Sequence, residues 1–183
     1  MLKTDKQLDA KGFSCPMPIV KTKKAMADLV DGQIIEVQAT DKGSKADLSA
    51  WADSVGHQYI GTTEQDGVLH HYIRKCSNET VDEKTFEPTI ELDEITKRNG
   101  LILDVREEAE YAFGHIEDAV SIPMGELDAR LNELDRSKEI YVICRTGKRS
   151  ELAATKLVKA GFTSVYNVLP GMTSWKGDIQ KEI

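Results

Sequence analysis

Cysteine is scarce in this sequence: 183 residues hold only Cys15, Cys76 and Cys144. Three thiols cannot all pair within one chain, and they are too few for the disulfide framework of a small secreted domain, so free thiols are expected. No apolar run approaches the ~20 residues that a membrane span requires, and the opening MLKTDKQLDAKG lacks the apolar core of a secretory signal peptide. The expectation is a cytoplasmic protein with no membrane segment. A basic excess is missing too. The net charge is −7; the first 75 residues are balanced, and the acidic surplus falls in the remainder. Duplex DNA is thereby a poor partner, although Lys21, Lys23 and Lys24 form a local patch suited to an acidic one. There is no strong Pro or Gly bias, no low-complexity tract and no internal repeat. With 40% hydrophobic and 30% charged residues, the composition is that of an ordinary globular protein.

The length suits two small domains. Residues 1–75 read as strand, helix, strand, helix, strand, strand. Pro16 suits a first helical position after Cys15, and Met17, Val20, Met26, Leu29 and Val30 recur near helical spacing before Asp31-Gly32. Gln33 to Thr40 alternates as a half-buried strand. Ser44 is placed to cap a helix that carries Leu48, Trp51, Ala52 and Val55 and stops at Gly56, and Asp66-Gly67 marks a hairpin. Residues 76–87 are polar and acidic without a period, and Pro88 follows them, so they read as a linker, with Cys76 incidental to it. From residue 88 to 183, short apolar runs at Leu101 to Val105, Ala119 to Ile122, Ile140 to Ile143 and Ser164 to Val168 alternate with helical patterns. That alternation predicts a mostly parallel sheet covered by helices.

The most informative stretch is EIYVICRTGKRSEL, Glu139 to Leu152. A buried strand ends at Cys144, the loop Cys144-Arg145-Thr146-Gly147-Lys148-Arg149 follows, and a helix begins near Ser150. A strand that turns through a Gly-containing loop into a helix points several amides inward and adds the helix dipole, which together favour an anion. Arg145, Lys148, Arg149 and the helix terminus should lower the Cys144 pKa and draw in an anionic sulfur donor. The competing reading is a structural cysteine closing a core strand; three cations within five residues argue against it.

Residues 88–183 resemble a single-domain rhodanese, a thiosulfate or persulfide sulfurtransferase, through LILDVREEAEYAFGHIEDAVSIP, CRTGKRS and LPGMTSWKG. The resemblance implies a three-layer α/β fold. It makes Cys144 the persulfide-bearing nucleophile, with the amides of Arg145, Thr146, Gly147, Lys148 and Arg149 around its outer sulfur and with Arg145 and Arg149 helping to bind the donor. Asp104 and Arg106 match the family's structural Asp-x-Arg motif, and with His115 they are expected to fix loops rather than do chemistry. Asp118 stands where the family commonly has a small turn residue. Related phosphatases have a loop one residue longer, which suits a tetrahedral phosphate, whereas the shorter loop here favours sulfur.

Cys15-Pro16-Met17-Pro18 places Cys15 over the start of the first helix, where a depressed thiol pKa is expected. With LDAKGFSCPMPIVKTKKAM, EVQATDKGSKADLSAWADSVGH and DGVLHHYIRK around it, the segment 7–75 resembles the TusA family of small sulfur carriers. That resemblance implies a two-layer βαβαββ sandwich whose motif cysteine, Cys15, accepts a persulfide and passes it to an acceptor protein without metal or nucleotide. Asp41 and Lys42 lie in a turn that either shapes the surface around Cys15 or simply turns the chain. His57, His70 and His71 have no metal-ligand spacing, and on a strand His70 and His71 face opposite ways. No cofactor is expected.

Together the two halves suggest a relay. Cys144 takes sulfur from thiosulfate or a persulfide, and Cys15 or a partner protein receives it, each step being a thiolate displacement at sulfur. Two alternatives stay open: an adapter that only docks sulfur-handling proteins, and a redox sensor whose cysteines oxidise.

Overall fold

The structure, a computed structural model, describes residues 2–77 and 86–183. The described residues fall into two compact units, 2–77 and 86–182. Most of the expected linker lies outside the described residues.

The first unit runs β1 (Lys6–Ala10), α1 (Met17–Met26), β2 (Ile34–Ala39), α2 (Ser44–Val55), β3 (Gln58–Gln65) and β4 (Val68–Arg74). Its sheet has the order β1-β2-β4-β3, with β1 parallel to β2 and the remaining pairs antiparallel. The period of 2 sends Ile35 and Val37 of β2 and Ile73 of β4 to one face, where Ala25 and Met26 of α1 and Leu48 and Ala52 of α2 close the core. Both helices therefore cover the same side of the sheet. The hairpin turns at Asp66 and Gly67, both at positive φ (52° and 76°), as a two-residue turn matched to strand twist requires.

Two expectations for this unit fail. Met17, Val20 and Val30 are exposed, at 40%, 53% and 66%. The buried residues of α1 are Pro18, Thr22, Ala25 and Met26, a helical stripe in which the Thr22 hydroxyl is satisfied by the Pro18 carbonyl at 2.7 Å. Met26 and Leu29 of the apolar set are buried, but an apolar count misses Thr22, because a threonine that bonds within its own helix can be buried without loss. Ser44, in turn, is the first residue of α2 and does not cap it; Gly43 is the cap. The Ser44 hydroxyl donates to the Asp41 carbonyl at 2.6 Å and meets His71 Nε2 at 2.9 Å.

His71 is fully buried. Since Ser44 uses its proton on Asp41, Nε2 of His71 is the donor of that pair, and Nδ1 accepts from the Tyr59 hydroxyl at 2.8 Å or that of Thr62 at 2.9 Å. His70, on the opposite face, bonds through Nδ1 to the buried Glu36 carboxylate at 2.6 Å, which also accepts from Gln7 and Gln38. The two adjacent histidines do face opposite ways.

The second unit runs β5 (Thr89–Glu91), α3 (Leu92–Ile95), β6 (Leu101–Asp104), α4 (Glu108–Phe113), β7 (Val120–Ser121), β8 (Ile140–Ile143), α5 (Lys148–Lys159) and β9 (Val165–Leu169). The sheet order is β5-β9-β8-β6-β7 and every pair is parallel. β5 was not foreseen, since three residues are too few to show a period. β8 alternates between two cores. Ile140 and Val142 pack with Ala153, Leu157 and Phe162 on one face, and Tyr141 and Ile143 pack with Ile90, Ile95 and Ile116 on the other. The result is three layers, helix on sheet on helix.

The motif Asp104-Val105-Arg106 closes a loop. Arg106 Nε and Nη2 bind the Asp104 carboxylate at 2.6 to 3.0 Å, and Nη2 also reaches the Gly114 carbonyl. His115 stacks on Tyr111, with ring centroids 3.7 Å apart, and its Nδ1 pairs with the Tyr111 carbonyl at 2.9 Å. Asp118 has φ 61°, a left-handed conformation that aspartate tolerates better than most residues. No described helix is long and apolar enough to cross a membrane.

Burial lowers the His71 pKa from 6.5 to about 4, with smaller contributions from the nearby charges of His70 and Lys45. Because the folded value lies below the unfolded one, the unfolded chain binds the extra proton between them. Stability is therefore complete above about 6.5 and declines as the pH falls toward 4, by on the order of 3 kcal/mol. Urea titrations followed by Trp51 fluorescence in a Trp175→Phe background should show this loss between pH 7 and 4.5; a flat profile that matches His71→Asn counts against it.

Candidate functional site

Cys144 follows β8 directly, and α5 begins at Lys148, two residues earlier than the apolar pattern indicates. Lys148 and Arg149 are thus the first turn of the helix rather than loop. The chain turns at Gly147, whose φ of 100° is left-handed and whose added Cβ would collide with Leu169. This conformation points the Gly147 N–H back at Cys144 Sγ, 3.1 Å away. Cys144 is 1% exposed and lies at the floor of the turn, with the Ser150 hydroxyl 3.3 Å from its sulfur.

The segment after β9 straps this turn down. Met172 N–H donates to the Cys144 carbonyl at 2.9 Å, and Thr173 binds the Arg145 carbonyl through both its N–H and its hydroxyl at 3.1 Å. Gly171, at φ 114°, passes so close that a Cβ would lie 2.6 Å from the Arg145 oxygen. The sequence LPGMTSW therefore orients the peptides of the cysteine turn from a distant part of the chain.

The predicted loop residues do not share one role. Gly147 supplies the amide contact. Arg145 is half-buried and Thr146 and Lys148 are exposed at the rim. Arg149 is engaged elsewhere: its Nη1 and Nη2 form a bidentate pair with the Glu110 carboxylate at 2.6 and 2.9 Å. Burial disfavours its charge, but the hydrogen bonds and charge of Glu110 outweigh this and hold the guanidinium pKa above its ordinary value, with Cys144 adding in the same direction. Arg149, expected to help bind the donor, is a cation tethered to α4 through Glu110. Spacing in the loop carries no signal for Glu110, which lies 39 residues away.

Cys15 sits in a different environment. It is exposed, and it precedes α1 by one residue, Pro16, which forms the cap. Its N–H donates to Asp41 Oδ2 at 3.2 Å while Asp41 Oδ1 accepts from Gly43 at 3.1 Å, so Asp41 both turns the chain and anchors the cysteine. The expected depressed pKa is contradicted. The thiol is pushed up, chiefly by its hydrogen bond to Asp47, then by desolvation and the charges of Asp47 and Asp41. Asp47 in the first turn of α2 and Asp41 just before that helix raise it, and strand-helix patterns do not reveal which side chains of another element will converge there. Cys76 belongs to the first unit: its sulfur lies 3.3 Å from Arg74 Nη1 and its backbone meets His57 Nδ1. Among the described residues no cluster suited to a metal ion occurs.

Replacing Asp47 with Asn should speed alkylation of Cys15 by iodoacetamide several-fold at pH 8, read by peptide mass spectrometry, because the thiol then ionises more readily. Gly171→Ala should cost more than about 2 kcal/mol in the second unit, read by Trp175 fluorescence on unfolding, since the added Cβ displaces the Arg145 carbonyl.

Comparison with known proteins agrees with both halves. The family model described as "Sulfurtransferase TusA" matches residues 6–75, and that described as "Rhodanese-like domain" matches residues 89–178. The Bacillus subtilis protein named "Putative sulfur carrier protein YrkF" is 48% identical over 182 residues, covering 97% of this chain and 98% of its own. The sulfur carrier protein TusA of Allochromatium vinosum is 39% identical over 71 residues, 39% of this chain and 93% of its own. A rhodanese-related protein from Thermoplasma volcanium, known from a crystal structure, is 37% identical and covers 48% of this chain and 88% of its own, with a TM-score of 0.44. With a TusA and a rhodanese-like family model matched in tandem and the Bacillus subtilis protein matched along almost its whole length, this chain belongs to the proteins that join a TusA domain to a rhodanese-like domain.

Proposed function

We propose that the chain is a sulfurtransferase in which Cys144 takes sulfane sulfur from an anionic donor, thiosulfate or a persulfide, and passes it to Cys15 or to a partner protein. The observation that carries this reading is the Gly147 N–H held 3.1 Å from Cys144 Sγ at the mouth of α5, an amide cradle suited to a sulfur anion. In loading, the Cys144 thiolate attacks the outer sulfur of thiosulfate. The new S–S bond forms as the donor's S–S bond breaks, and sulfite leaves with the electron pair. Arg145 and Lys148 at the rim attract the dianion, the Gly147 amide stays on Sγ while those of Thr146 and the first turn of α5 hold the outer sulfur, and Arg149 adds positive charge from its tether on Glu110.

Cys15 fits the second station. Its raised pKa makes it a poorer leaving thiolate, so a sulfur placed on it is retained until an acceptor attacks. The same property suits it less to first capture of sulfur from thiosulfate. All three cysteines are free, which supports thiol-persulfide exchange.

Thiosulfate followed by removal of excess donor should add ~32 Da to Cys144, one sulfur on a thiol, as read by peptide mass spectrometry. Label should also reach Cys15 in the unaltered chain and be lost from it in Cys144→Ser. Label on Cys15 that survives Cys144→Ser would instead make the second unit an adapter, and peroxide-driven oxidation with no sulfur uptake would favour a redox sensor.

A further inference from the structure

β9 reads Val165-Tyr166-Asn167-Val168-Leu169, and the amide in its middle is 1% exposed. Asn167 faces α5. Its Nδ2 donates to the Gly147 carbonyl at 3.3 Å, and its Oδ1 accepts from the Ser150 hydroxyl at 2.6 Å. The Gly147 carbonyl can only accept, so turning the amide round would set two oxygens against each other; the orientation is determined by its partner. Ser150, fully buried, therefore spends its one proton on Asn167 and presents lone pairs to Cys144 Sγ at 3.3 Å. From the other side the Gly147 N–H donates to the same sulfur at 3.1 Å. Asn167 thus fixes the acceptor at Sγ through Ser150, while the backbone turn at Gly147 supplies the donor.

That fixed pair distinguishes the two forms of the cysteine. An unloaded thiol satisfies both, with S–H directed to Ser150 and a lone pair accepting from Gly147. After loading, Sγ is the inner sulfur of a persulfide and carries no proton, so the Ser150 lone pair faces a sulfur with nothing to donate. We propose that Asn167 is a positioning residue which, acting through Ser150, stabilises unloaded Cys144 over its persulfide and thereby promotes discharge of sulfur to the acceptor. The proposal rests on the reading of Cys144 as the persulfide-bearing residue. In discharge the acceptor thiolate attacks the outer sulfur, the Cys144 S–S bond breaks with its electron pair remaining on Sγ, and Sγ takes a proton from water to restore the contact with Ser150.

The test uses the full chain in a Cys15→Ser background, equilibrated with fixed ratios of thiosulfate to sulfite at constant pH, with Cys144 persulfide occupancy read by peptide mass spectrometry. Ser150→Ala removes one oxygen without adding bulk, and Asn167→Val frees the Ser150 hydroxyl to turn its proton toward sulfur. Each should raise the ratio of loaded to unloaded Cys144 by about three- to tenfold, the effect of one hydrogen bond. A merely structural role changes how fast occupancy is reached, or the melting temperature, and leaves the equilibrium ratio alone. A ratio unchanged or lowered in Ser150→Ala, with persulfide still formed, overturns the proposal while leaving Cys144 as the carrier. Absence of persulfide on Cys144 before any change at Ser150 or Asn167 overturns the underlying reading and the proposal with it.

Discussion

The alternation of β8 between two apolar cores is the constraint from which the second unit's chemistry follows. Ile140 and Val142 are committed to one core and Tyr141 and Ile143 to the other, so the strand cannot slip by a residue without exposing every one of them. Cys144 is the next position in that register and inherits the face of α5, buried, with its sulfur at the turn. The chain must then reverse within three residues to begin the helix, and only the left-handed Gly147 does this while aiming an N–H at the sulfur. The strap through Gly171 and Thr173 fixes the outward-facing carbonyls of the same turn, so that its amides are left to point inward.

The two proposed stations present opposite environments to the same element. Around Cys144 the nearest fixed groups are an amide donor and a hydroxyl acceptor inside a dry core, with a guanidinium tethered just beyond. Around Cys15 they are carboxylates on an open surface. On the proposed reading, a sulfur placed on Cys15 is held against loss, since leaving ability falls as thiol pKa rises and the Cys15 thiol is pushed up. In a chain that joins a TusA domain to a rhodanese-like domain, the proposed relay would divide capture and storage of sulfur between two cysteines rather than compromise both in one.

Much of this was legible in the residues alone. The element order of the first unit, the mostly parallel sheet of the second, the hairpin at Asp66-Gly67 and the strand-cysteine-helix turn are local signals, carried by periods of 2 and 3.6 and by glycines where the backbone must reverse. The three-residue β5 has no period to read, and α5 starts earlier than its apolar pattern because Lys148 and Arg149 are polar residues in a helical turn. On α1, a threonine satisfied by its own helix took the buried place that Met17 and Val20 seemed to claim on hydropathy alone.

The two cysteines proposed to carry the chemistry are singled out by the sequence itself, because strand, turn and helix signals adjoin each of them within a few residues. What surrounds each sulfur was decided only by tertiary structure. Glu110 on Arg149, Asn167 behind Ser150, Asp47 beside Cys15 and the Gly171 strap come from elements far along the chain. Hydrogen bonds and charges act over a few ångströms in space whatever the separation in sequence, so no local pattern records them.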